Sequence, residues 1–308
     1  MTQQTATTAT QPEAPARKRD VYQSITDQIV AAIEAGAGTF TMPWHRDTGT
    51  TMPTNALTGC TYNGVNIVAL WAAAEQGGFT TGYWATYKQW SLLGAQVRKG
   101  EKGSVVVFYK QTGIEVSGIA TGERENKSVL IARSSRVFNI KQVDGWQPPR
   151  PAAPDPIKML VKAESFVTAT SADIRFGGDR AYYRPKTDNI QMPDRDRFIG
   201  TETINVTESY FATLLHELTH WTGNISRLNR DLSGRFGHES DAMEELVAEL
   251  GSAFLCSDLG ITNRPRPDHA AYIAQWLTVL KKDTRAIFTA ASKANEARRF
   301  LTGLQPAP

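Results

Sequence analysis

The stretch Leu214-Leu215-His216-Glu217-Leu218-Thr219-His220-Trp221-Thr222-Gly223 constrains this chain more than any other. It carries H-E-x-x-H inside an apolar run, so it reads as a helix. Four residues advance a helix by about 400°, which stacks His216 and His220 on one face, one turn apart. Two imidazoles so placed can share one zinc ion at about 2.0–2.1 Å. Glu217 lies about 100° round from His216, within reach of a water on that metal without ligating it, where a general base would sit. The plainer reading is a pair of surface histidines on an amphipathic helix. Against it stand the flanking leucines, which give the helix apolar sides, and Gly223, placed to end it as a left-handed residue.

A catalytic zinc needs a third protein ligand and an open position. The segment Asp241–Leu250 is the best source. Met243, Leu246, Val247, Leu250 and Phe254 make a helical apolar stripe, with Asp241 and Glu244 in the spacing of a capping box. Glu245 and Glu249 share a face of this helix. Glu245 is therefore the expected ligand and Glu249 the carboxylate that orients a histidine through its other nitrogen. Glu244 is expected to cap the helix or sit in solvent. A solvated acidic face is the alternative for Glu245 and Glu249. The arrangement resembles the zincin metallopeptidases of the gluzincin type, whose second helix supplies a glutamate ligand.

The chain has 308 residues, 41% hydrophobic and 21% charged, enough for two domains with buried cores. Cys60 and Cys256 stand alone, without metal-ligand or disulfide spacing, which suits a reducing cytoplasm. Residues 1–19 read as a disordered tail, polar and then basic. No apolar run approaches a membrane span and no leader pattern is visible, so a cytoplasmic protein without membrane partners is expected. Five of the 15 prolines fall between Pro148 and Pro156, marking a linker over 147–157 between regions 20–146 and 158–305. Helices are expected from Val21 and over 63–74, with strands over 104–109, 129–132 and 137–140, giving a small mixed α/β domain. The second region is helix-rich. Asn189–Met192 alternates, and is the candidate edge strand for holding a peptide in extended form. The fold class is α+β.

Residues 1–150 hold 15 Lys and Arg against 11 Asp and Glu, and five of the seven tryptophans. Cations track a phosphate backbone and flat rings stack on unpaired bases, a combination suited to single-stranded nucleic acid. Composition alone favours the simpler account, in which tryptophans fill a core and Arg98 to Lys102 form a solvated turn.

From Asp20 onward the chain resembles the ArdC-type antirestriction proteins of conjugative plasmids and related mobile elements. The matching motifs include Pro43-Trp44, Tyr62-Asn63-Gly64-Val65-Asn66, Trp84-Ala85-Thr86-Tyr87 and Gly94 to Lys102, then Asp188 to Pro193, the metal helix and Glu244 to Leu250. The resemblance implies an N-terminal domain that binds single-stranded DNA, also seen on conjugation primases, and a zincin-like peptidase domain. The residues expected to face DNA are Trp44, Tyr62, Asn66, Trp84, Tyr87, Lys88, Arg98, Lys99 and Lys102. Zinc, or another divalent metal such as Mn2+, is the expected cofactor. An unknown protein substrate or the host restriction machinery is the expected second partner. The rival expectation is a non-enzymatic single-stranded-DNA-binding protein whose metal site is only structural. His238, just before the proposed glutamate helix, reads as a surface residue, an extra ligand or a transition-state donor; His45 has no partner visible in sequence.

Overall fold

Isoleucines at four-residue steps build the first helix, α1 (Val21–Gly36): Ile25, Ile29 and Ile33 lie on one stripe and are all buried. Asp20 caps it, its carboxylate accepting the Tyr22 N–H at 3.0 Å. The computed structural model describes residues 20–37, 42, 44–45, 52–117, 124–148, 155–198, 205–232, 239–262 and 269–306. The 1–19 tail, most of the 147–157 linker and His238 lie outside them.

Helix α2 (Val65–Gly77) packs beside α1. A four-stranded sheet follows, in the order β1 (Thr54–Asn55), β2 (Tyr83–Thr86), β5 (Arg124–Asn139), β4 (Ser104–Ser117). The short helix α3 (Tyr87–Leu92) and the pair β3 (Gln96–Val97) and β6 (Val143–Asp144) close its end. The two strands expected over 129–132 and 137–140 are one strand, β5, paired antiparallel with β4 from Ser104↔Val137 to Ser117↔Arg124. The polar run Arg133 to Arg136 breaks the apolar pattern but not the backbone ladder, which any residue with a free N–H can continue.

In the second region, α4 (Pro156–Ala169) starts inside the expected linker. Asp155 caps it and Pro156 takes a first-turn position, where no N–H is needed. The strands β7 (Asp173–Phe176), β8 (Tyr182–Arg184) and β9 (Asn189–Met192) form a sheet in the order β7-β9-β8. Asn189–Met192 is thus the central strand, paired on both sides, and β8 is an edge. Four helices complete the fold: α5 (Val206–Thr222), α6 (Glu239–Leu259), α7 (His269–Lys282) and α8 (Ala286–Gly303).

Packing does not follow the division into 20–146 and 158–305. One apolar cluster joins Ile25, Ile29 and Trp71 to Phe254, Trp276 and Ile287. Trp71 meets Phe254 with ring centroids 5.7 Å apart, and Trp44 meets Trp276 edge-on at 5.9 Å. A second cluster lies beneath α5, where Leu214, Leu215 and Leu218 cover Ile190, Met192 and Leu255.

The α5–α6 contact positions the site and depends on Gly251. A Cβ there would come within 2.5 Å of Thr219 Cγ2 and 2.7 Å of its Oγ1. Thr219 is fully buried and its hydroxyl is held by the Leu215 carbonyl at 2.8 Å, so it cannot yield. Gly251→Ala is expected to push α6 off α5. Overpacking of this kind costs about 1–3 kcal/mol, so thermal denaturation should show a lowered Tm, with weakened metal binding in the same variant.

Candidate metal centre

Helix α5 begins with a reciprocal cap. Asn205 accepts the Glu208 N–H at 2.8 Å, while the Glu208 carboxylate reaches back to the Asn205 N–H. The helix carries His216 and His220 on the face turned to α6, ring centroids 4.9 Å apart. Glu245, on α6, completes the set. Its carboxylate lies 3.5 Å from His216 Nε2 and 3.3 Å from His220 Nε2, and one donor atom from each residue falls within 4.8 Å of the others.

The far side of each imidazole faces another carboxylate. His220 Nδ1 lies 3.1 Å from Glu244 Oε1, and His216 Nδ1 lies 3.5 Å from Glu249 Oε2. Both Nε2 atoms are thereby turned toward Glu245, the orientation a metal needs. Burial would push the His220 pKa down, yet the charge of Glu245 and the hydrogen bonds its imidazole donates to Glu244 and Glu245 raise it to about 10. Burial opposes ionisation of Glu245, but the two histidines hold it well below the ordinary carboxylate range. A buried site so rich in anions calls for positive charge. A divalent cation supplies it by replacing protons, and two imidazoles with one carboxylate suit zinc.

These residues open on a cavity of about 310 Å³ that Glu217, Tyr182, Tyr183 and Tyr272 also line. Glu217 is only 6% exposed and borders the same space as the three donors without belonging to their set. The edge strand β8 forms one wall of this cavity, whereas Asn189–Met192, expected at an edge, is the central strand of its sheet.

Three features of the site were not visible in the sequence. Glu244 neither caps α6 nor faces solvent. It is clamped between His220 and Arg230, whose guanidinium meets it at 2.8 and 3.0 Å and also donates to Thr222 Oγ1 and the Thr219 carbonyl. His45 has a partner: its Nε2 lies 2.9 Å from Glu249 Oε1, and Trp44 Nε1 donates to that oxygen at 3.3 Å. Gly223 ends α5 with φ −73°, not left-handed. What it needs is room, since a Cβ would meet Leu232 Cδ2 at 2.8 Å and Arg230 Nη2 at 3.0 Å.

The expected DNA-facing residues divide. Trp44 and Trp84 are buried in the shared core, with no free face for a base; they are core aromatics. Tyr62 and Asn66 are also buried, and Asn66 is spent bridging α2 to β4, donating to the Val107 carbonyl at 2.7 Å and accepting its N–H at 2.8 Å. Arg98 is exposed but tied to Glu101 and Asp144. Tyr87, Lys88, Lys99 and Lys102 remain on the surface.

Comparison with known proteins fits this geometry. Residues 19–138 match the N-terminal domain of anti-restriction factor ArdC, and residues 161–293 match a zincin-like metallopeptidase domain. An uncharacterised protein of Sinorhizobium fredii is 47% identical over 97% of this chain and 96% of its own length. A DNA primase TraC of Escherichia coli is 36% identical over 94% of this chain, which spans 27% of the primase. The metal-free crystal structure of the antirestriction ArdC protein from the R388 plasmid is 39% identical, with TM-score 0.72 over 92% of this chain and 97% of that one. Its Mn(II)-bound form superposes with TM-score 0.70 over 92% and 98%.

Proposed function

Because the chain belongs to the ArdC family of antirestriction proteins, we propose that it binds single-stranded DNA and carries a zinc-dependent peptidase site, and that it protects incoming DNA from host restriction. The observation that carries the peptidase reading is the convergence of His216, His220 and Glu245 beside a buried Glu217 that is not itself a ligand. A divalent cation held there polarises a carbonyl and lowers the pKa of water to about 7. Around it, Glu249 and Glu244 hold the two imidazoles in place. Glu217 accepts the proton that water gives up on attacking a peptide carbonyl, and β8 offers its free backbone edge to an extended substrate. The substrate would be a protein that threatens the incoming strand, and the setting the cytoplasm. No helix among the described residues is long and apolar enough to cross a membrane.

The DNA half of the reading rests on the family, with Lys88, Lys99 and Lys102 exposed in the N-terminal region. It is tested on the full chain, since the two regions share a core. Fluorescence anisotropy with a labelled single strand and a duplex of equal length, at low and physiological salt, should show a salt-sensitive preference for the single strand. Equal affinity for both, or no binding, would overturn it.

A further inference from the structure

We propose that the single strand lies in the groove between the N-terminal region and α8, so that the DNA interface is shared by both halves of the chain. This rests on the reading that the protein binds single-stranded DNA. The groove encloses about 1020 Å³ and shares no lining residue with the metal cavity. One wall is N-terminal and includes Lys88, Phe108 and Tyr109. The other is α8, through Phe288, Ser292, Asn295 and Arg299. These four recur at spacings of four, three and four, which puts them on one face of the helix.

The chemistry of the lining selects the occupant. Among the described residues its only charged side chains are Lys88 and Arg299, both cations, one on each wall. Phe108 and Tyr109 are 46% and 52% exposed, large rings left in water where a base can stack. Asn295 is 7% exposed and its Oδ1 has no hydrogen-bond partner among the described residues, leaving a buried acceptor that the exocyclic amino group of a base can satisfy. A shallower recess of about 400 Å³ continues along α8, sharing Tyr109, Phe288 and Ser292 and adding Arg285, Lys293 and the acidic Glu296. From Arg285 to Arg299 the helix runs about 21 Å at 1.5 Å per residue, room for several nucleotides. A duplex keeps its base faces stacked inside and has none to offer these rings.

The protein carries its own probe. Cys60 is exposed and lines the groove, whereas Cys256 is buried, so alkylation reads a single thiol. Maleimide labelling of the full chain should slow roughly tenfold under a saturating oligothymidine strand, as expected when stacked nucleotides cover the groove, and should be unchanged by duplex DNA. Arg299→Glu, at an exposed position, should weaken single-strand binding roughly fivefold or more and flatten its salt dependence. If anisotropy shows the strand bound while Cys60 reacts at its free rate and Arg299→Glu binds as the parent does, the groove assignment is wrong and the DNA reading stands. If the parent does not bind the strand at all, both fall. Protection by an unstructured peptide but not by the strand would reassign the groove to a protein partner.

Discussion

Glu217→Gln is expected to keep a full equivalent of metal and to lose peptide hydrolysis. Glutamine has the same length and remains polar in the 6% exposed position that Glu217 occupies, but it cannot take a proton. General-base contributions amount to about 10²–10⁴-fold, so cleavage of an unfolded protein substrate should fall by about that factor, with Tm and metal content unchanged. Glu245→Ala should do the opposite at the first step. It removes the carboxylate that faces both Nε2 atoms, at 3.5 and 3.3 Å, and should leave the protein without metal. Metal content by mass spectrometry alongside the cleavage assay separates the two. Cleavage by Glu217→Gln at the parent rate would remove the base assignment. A parent that never cleaves, but loses Tm when its metal is chelated, would make the site a structural one.

Periodicity made this constellation legible. His216, His220, Glu245 and Glu249 are each placed by counting turns on a helix, and their mutual approach then needs only that α5 and α6 cross, as they do at Thr219 and Gly251. What the sequence withheld depends on long-range packing. Nothing in the run Arg227 to Asp231 says that Arg230 will turn back into the core to clamp Glu244, and nothing near residue 45 points to residue 249. The tryptophans misled for the same reason. An aromatic looks alike in sequence whether it stacks on a base or fills a core; Trp44 is buried against Trp276 of α7, and Trp84 against Phe79 within the N-terminal region. The strand β9 was misplaced at an edge because alternation records which face is buried and says nothing about how many neighbours a strand has.

The pairing of His45 with Glu249 is expected to make metal affinity depend on the N-terminal region. The Met42 N–H donates to His45 Nδ1 at 2.9 Å, which fixes the tautomer: the proton sits on Nε2 and is given to Glu249 Oε1 at 2.9 Å. With Trp44 Nε1 on the same oxygen, that carboxylate is held so that its Oε2 faces His216 Nδ1. Loss of such an outer partner typically lowers metal affinity about 10–100-fold. Glu249→Ala should fall in that range. His45→Phe preserves the ring's bulk but leaves Glu249 with one donor fewer, and should shift affinity in the same direction by a smaller factor, read by competition with a chromophoric chelator. His45→Gln, which can still donate a hydrogen bond, should recover part of the loss, a rescue that packing alone would not produce. Unchanged affinity in a folded His45→Phe protein would mean that Glu249 is held by its own helix and that the two halves share a core without sharing the site.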